Sequence, residues 1–324
     1  MDNKTDQAVF YTITCMQDTT NFRIDSYYRS SLQVNIPINF IISANIVFLN
    51  VLAIYALMKK KDLRTPANYL LVNTAVSDFI VGLIGLPAFT IVVIQAVSQV
   101  NKQCWLYITA VILLHIFCLQ SFFGVILILI DISLALFTPY FYSSKITSNV
   151  NIYVWVCVTI LFVVAIGVTS FVLAKKSNIL YVIEGIMFPS LLAIFTCAYA
   201  KVFITVRKVN RAIHTQYGKF RKKKNIRTKK KEARMATLAL LMFLSLCICY
   251  LPYITVVLIW ARKLQINKDR LDALHVWTIT FVALKSIVNP LLYCFTMSKI
   301  RHAVKELLMK KRKKNQPDLS KYYI

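Results

Sequence analysis

Four ionisable residues are surrounded by apolar sequence: Asp78 in LVNTAVSDFIVGLIGLP, Asp131 in ILIDISLALF, Glu184 just ahead of IMFPSLLAIF, and Lys285 in VALKSIVNP. The chemistry open to them is electrostatic. A charge at the centre of a bilayer costs roughly 2.5–3.5 kcal/mol or more, so such residues are expected to have a partner and a function. Asp78, Asp131 and Glu184 are the only acids expected to be buried or nearly so. Lys285, Asn289 and Tyr293 follow one another at intervals of four, which puts them on one helical face. Covalent chemistry is not indicated. No nucleophile–base pair and no Cys/His cluster with metal spacing occurs, so no enzyme and no cofactor is expected. Six of the eight cysteines (Cys118, Cys157, Cys197, Cys247, Cys249 and Cys294) lie in or at the ends of apolar stretches, where cysteine behaves as a small hydrophobe.

The elements that must position these residues are long apolar runs. The chain has 324 residues, 58% of them hydrophobic and 16% charged, with a mean hydropathy of +0.60. Ordinary soluble domains are less apolar and more charged. A bilayer needs roughly 20 apolar residues per helix, and seven runs qualify: 36–58, 67–95, 105–137, 150–174, 179–206, 235–260 and 272–296. The fold class expected is an all-α membrane protein, a seven-transmembrane helix bundle spanning 36–296. Residues 1–35 form the N-terminal segment, 299–312 an amphipathic helix and 313–324 a tail. The net charge of +26 does not indicate nucleic acid, because it falls in short blocks between the runs. One set of loops and the tail, together with Lys201 near the end of the fifth run, carry 28 of the 39 lysines and arginines. By the positive-inside rule these face the cytosol, and the N-terminus faces out. Asn3-Lys4-Thr5 is then an extracellular glycosylation sequon. In SKIRHAVKELLMKKRKK, Ile300, Val304, Leu307 and Leu308 share a face among basic residues, the pattern of a helix lying on anionic lipid.

Five motifs carry a resemblance: NVLAIYAL with Asn50, the second run with Asp78, WVCVTI with Trp155, CYLP with Pro252, and NPLLY with Asn289, Pro290 and Tyr293. Together they resemble the rhodopsin-like (class A) G-protein-coupled receptors over essentially the whole chain. NPLLY followed by CFTMSKIRHAVKELL looks most like the melanocortin/adenosine branch. The resemblance implies a multi-pass receptor of the plasma membrane that binds an extracellular ligand. It implies a heterotrimeric G protein and arrestin as partners, and no nucleic acid. It also implies a central polar core of Asn50, Asp78, Ser121 and Asn289 that holds sodium. Here the sequence departs from the family. Lys285 lies on the face that the resemblance turns toward Asp78, and its ammonium is expected to stand where sodium would. An opsin-like photoreceptor is a minor alternative. The position at which opsins link retinal is held here by Ala283, and the two-residue offset turns the side chain by about 200°.

The activation residues implied are Tyr199, Tyr250, Pro252, Pro290 and Tyr293. Tyr250 stands where the family usually has the tryptophan of CWxP. On the ligand side, the aspartate that pairs small amines would fall at Leu114, beside His115, so a non-aminergic ligand is expected. Glu184, Tyr253, His275 and Ile279 are further pocket candidates. Histidine on an apolar helix is also an ordinary packing residue, and both roles remain open for His115. The family joins the top of the third helix to the second outer loop by a disulfide, but that loop has no cysteine here. Cys15 and Cys104 either bond to each other or remain free thiols. On the cytoplasmic side, Asp131 would begin an Asp-Arg-Tyr triplet but is followed by Ile132. Glu232, the helix-six acid, is present, and Tyr142 is a candidate partner for Asp131. Two functions follow from the missing arginine. One is a signalling receptor with a loosened inactive state. The other is a receptor-fold binding protein or dimer partner with little G-protein coupling.

Overall fold

A computed structural model of the chain describes residues 26–59, 66–98, 104–137, 223–261 and 268–314, with isolated positions between 157 and 204. The described segments are helical. They are α1 (Ser26–Lys59), α2 (Pro66–Ile80), a π-helical turn Val81–Gly85, α3 (Leu86–Ser98), α4 (Cys104–Phe137), α5 (Lys223–Ala261), α6 (Lys268–Thr296) and α7 (Ser298–Lys314). α2, the π turn and α3 form one continuous rod covering the second apolar run. α4, α5 and α6 correspond to the third, sixth and seventh runs.

Among the described residues, four helices are long and apolar enough to cross a membrane: Ser26–Lys59, Asn68–Ser98, Ala236–Ile259 and Arg270–Thr296. A shorter apolar helix, Ile116–Ile128, lies within α4. Their outward faces carry large hydrophobic side chains. Ile41, Ile248, Leu251 and Phe295 are each more than 60% exposed. Water would penalise such faces and acyl chains solvate them. Their inward faces form one apolar core, with Ile46, Leu71, Leu86, Phe122, Leu238, Met242, Leu246 and Tyr293 all buried. α6 packs along both α1 and α5, and α4 packs against the α2 rod and α5.

α1 begins ten residues before its apolar run. The added turns are amphipathic. Tyr28, Leu32 and Asn35 point inward while Tyr27 and Val34 point out, and Trp277 Nε1 of α6 donates to Ser31 Oγ at 2.8 Å. Hydropathy alone does not report these turns, because their stability comes from packing on α6. α7 follows α6 almost without interruption. It sets Ile300 and Ala303 against the bundle, with Val304 and Leu307 partly covered, and leaves Lys299, Arg301 and Lys305 exposed. Its amphipathic pattern is therefore used at least in part against protein.

The π turn has a local cause and a local consequence. Widening the helix by one residue frees a carbonyl, and Ser43 Oγ of α1 donates to Gly82 O. The two backbones approach closely there. A Cβ on Gly82 would lie 2.6 Å from Cγ2 and 2.8 Å from Cβ of Ile46, and 3.2 Å from Ser43 O. Because Ile46 is clashed at its branch point, rotamer change cannot relieve the contact. Gly82→Ala is expected to destabilise the fold by about 1–3 kcal/mol, the usual cost of overpacking. A thermal-unfolding midpoint equal to wild type would contradict this.

Candidate functional site

The centre of the bundle collects the polar residues that the apolar runs carry. Asp78, on the last turn of α2 before the π turn, is fully buried, as are Asn50, Ser121, Lys285, Ser286 and Asn289. Lys285 Nζ reaches Asp78 Oδ1 at 3.4 Å and donates to Ser121 Oγ at 2.7 Å. Ser286 Oγ donates to the same carboxylate oxygen at 2.7 Å, and Asn289 Nδ2 donates to Oδ2 at 2.8 Å. Both oxygens of Asp78 are thus answered from α6. Asn50 Nδ2 donates to the backbone oxygens of Ile46 and Ser286, each at 2.9 Å, which adds α1. Lys285 links α6 to both α2 and α4. Opposite charges in so dry a setting need pairing and hydrogen bonds, and both are present here.

Ser286 is a core member that the motif reading passed over. The signal was present, since Ser286 precedes Asn289 by three residues and so shares its side of the helix. A second buried network lies further along α6. Asn35 Nδ2 donates to Thr280 Oγ1 at 2.9 Å, Thr280 Oγ1 donates to Asn39 Oδ1 at 2.8 Å, and Asn39 Nδ2 donates to Asn35 Oδ1 at 2.7 Å. The four-residue spacing of Asn35 and Asn39 put both on one face of α1, but only the fold supplies Thr280.

One to two turns along α4 and α6 from the core is a cavity of about 390 Å³ of empty space, counting its open side. Leu114, Cys118 and Leu119 line it from α4, Tyr250 and Tyr253 from α5, and Ile279 and Val282 from α6. Tyr250 ends at the core side of this space. Its hydroxyl donates to Cys118 O at 3.4 Å, and its ring packs 6.1 Å from Phe122. His275, one turn along α6 from Ile279, is buried with its ring 5.8 Å from Tyr253.

One expectation requires correction. The acids near burial are not limited to Asp78, Asp131 and Glu184, because Asp272 at the start of the seventh run is only 2% exposed. It lies three residues before His275 and is covered on the same side of α6. A position at the end of an apolar run reads as a solvated rim, and neighbouring helices bury it. Asp131 is buried at the far end of α4, and Tyr293 is fully buried in α6. Pro252 and Pro290 lie inside α5 and α6. Cys104, His115 and Ile132 fall within α4, and Glu232 within α5, but their side chains lie outside the described structure. Asn3, Cys15, Tyr142, Trp155, Glu184 and Tyr199 also lie outside the described residues.

Residues 49–293 match the family model described as 7 transmembrane receptor (rhodopsin family). Trace amine-associated receptor 9 of Rattus norvegicus is 24% identical over 295 residues, covering 80% of this chain and 82% of that protein. Trace amine-associated receptor 8 of Homo sapiens is 23% identical over 328 residues, covering 91% of this chain and 92% of the relative. Trace amine-associated receptor 5 of Homo sapiens reaches 36% identity, but over 110 residues, 32% of this chain and 31% of its own length.

The buried pair makes a stability prediction. Asp78→Leu leaves an ammonium without its counter-charge and is expected to cost about 3–5 kcal/mol. Asp78→Leu combined with Lys285→Met removes both charges and should recover most of that loss. Thermal unfolding of the singles and the double in one detergent gives the coupling energy. Additive effects would show that the two side chains do not act as a pair.

Proposed function

The chain belongs to the rhodopsin family of seven-transmembrane receptors, and on that premise we propose that it senses an extracellular, uncharged and largely apolar ligand. The observation that carries this ligand class is the cavity, whose described lining holds no charged side chain. Leu114 stands there at the position where the resemblance puts the amine-pairing aspartate. The relatives named for trace amines therefore do not transfer their ligand. An ammonium entering this cavity would lose its water with no carboxylate among the described lining residues to replace it, a penalty of several kcal/mol. Hydrocarbon surface gains about 25 cal/mol per Å² removed from water.

The same reading gives a route for the signal. A ligand in the cavity presses on Tyr250, two residues before Pro252. Proline removes one backbone hydrogen bond and makes a hinge. The inner part of α5 then moves relative to α4, opening the cytosolic face to a G protein and arrestin. The concentration of lysine and arginine supports a cytosolic C-terminus, an extracellular N-terminus and a plasma-membrane address. The exposed basic side of α7 suits anionic headgroups. Members of this family are receptors, not enzymes.

Ile132 favours a second reading, a binding protein or dimer partner with little coupling, because an apolar side chain cannot make the contacts of the arginine it replaces. The first reading is preferred for its intact hinge and NPLLY segment.

Matched ligands test the ligand class. 3-Ethylindole and tryptamine share a skeleton and differ by one ammonium. Across a panel of such pairs, wild type should bind the neutral member, and Leu114→Asp should move the preference toward the amine by at least about tenfold, or 1.4 kcal/mol. Wild type that favours the amines, with Leu114→Asp changing nothing, would exclude the apolar class. Coupling is tested separately by G-protein activation with a ligand shown to bind. Wild type is expected to respond, and Ile132→Arg to respond more strongly. Silence from wild type alongside a response from Ile132→Arg would establish the second reading instead.

A further inference from the structure

The polar core has the composition of a cation site, and its cation is part of the chain. Five oxygen-bearing side chains converge there: Asp78, Ser121, Ser286, Asn289 and Asn50, all fully buried. Oxygen donors of this kind, with one carboxylate among them, suit a hard monovalent or divalent cation. Yet the position that would complete them is taken. Lys285 Nζ stands 3.4 Å from Asp78 Oδ1 and 2.7 Å from Ser121 Oγ. The ammonium lies between the carboxylate of α2 and the hydroxyl of α4, where it satisfies both and neutralises Asp78. A sodium ion placed among these groups would meet a like charge within contact distance. The residues present therefore do not fit sodium.

Further oxygens point the same way. Asn50 Oδ1 and Asn289 Oδ1 are buried and accept no hydrogen bond from described residues. Both side chains use their amide nitrogens as donors, one to Asp78 and one to the α1 and α6 backbones. That leaves two carbonyl oxygens at the core in addition to the carboxylate and hydroxyls. A lysine head group has three donors and is committed here to Asp78 and Ser121. The acceptor capacity of the core thus exceeds what Lys285 uses, as expected of a coordination shell occupied by a tethered ammonium.

We infer that Lys285 is an intramolecular replacement for a bound sodium ion, so that the wild-type receptor is indifferent to sodium, and that shortening Lys285 uncovers a latent sodium site at Asp78, Ser121, Ser286 and Asn289. The binding statement stands on the geometry of the core. Its regulatory consequence, an inactive state that sodium neither stabilises nor weakens, rests on the receptor reading above. A tethered cation also cannot leave. Its local concentration is fixed by a four-carbon stem rather than by the medium, so outside salt cannot compete with it by mass action.

The test reads thermal stability of the purified full-length protein in sodium and in potassium at equal ionic strength, with no ligand and no G protein. Wild type should unfold at the same temperature in both salts. Lys285→Ala should be less stable in potassium and regain a few degrees selectively in sodium, as expected for a ligand that binds only the folded state. Asp78→Asn combined with Lys285→Ala should lose the sodium effect. Selective stabilisation of wild type by sodium would overturn the inference, and this measurement stands even if a variant fails to fold. A Lys285→Ala protein that folds but treats the two salts alike would also overturn it. Neither result bears on ligand class or coupling, which are read by binding and G-protein activation.

Discussion

A carboxylate placed in hydrocarbon dictates what must surround it. Asp78 receives an ammonium, a hydroxyl and an amide, all from one stretch of α6. To deliver three groups from Lys285, Ser286 and Asn289, α6 must present a single rotational setting to α2. The same setting carries Lys285 to Ser121 of α4 and brings the backbone of Ser286 to Asn50 of α1. Four segments are therefore held in register by one charge. Apolar packing against lipid-like surroundings does not fix rotation well, since a lipid tail is as apolar as leucine. Polar contacts with directional geometry supply that specificity.

The cavity and the core are two parts of one seam. Along α4, Leu114, Cys118 and Ser121 follow at helical spacing. Along α6, Ile279, Val282 and Lys285 do the same. The outer members of each series line the cavity and the inner members hold the ion pair. Tyr250 sits between them, bonded to the backbone of Cys118 and packed on Phe122. A group that enters the cavity is thus one helical turn from the charge that sets the register. This adjacency gives a physical basis for coupling, since small displacements at a packed, bistable contact are not absorbed continuously.

Much of this was legible in the sequence, and the reasons differ by residue. Asp78 and Lys285 stood out because each is costly alone, and the spacing of Lys285, Asn289 and Tyr293 gave their shared face. What the spacing could not give was the partner across helices. That Ser121 rather than another hydroxyl accepts from Lys285, or that Thr280 bridges Asn35 and Asn39, depends on helix rotation and on close approaches such as Gly82 against Ile46. Asp272 was misread for the same reason. Hydropathy ranks a residue by its neighbours in sequence, whereas burial at a helix end is decided by neighbours in space. The extra turns of α1 were missed because amphipathic turns contribute little to an apolar window.

Two departures from the family pattern bear on each other. At one end of α4, Ile132 stands where the resemblance puts an arginine, and the centre of α6 carries a cation at Lys285. In the arrangement implied by the resemblance, the arginine would tie α4 to the helix-six acid and restrain α5 directly. Here the cation ties α6 to α2 and α4. Around the cavity floor, α5 is instead held by the Tyr250 hydroxyl at 3.4 Å from Cys118 O and by ring packing. A neutral hydrogen bond contributes about 1 kcal/mol, and an aromatic pair about 0.5–1.5 kcal/mol beyond its burial. Around the cavity floor the α5 contacts are neutral, while α2, α4 and α6 are held together by a charge. On the proposed route, a swing of α5 would leave the ion pair of α2, α4 and α6 intact, because neither the Tyr250 hydrogen bond nor the ring packing at the cavity floor belongs to that pair.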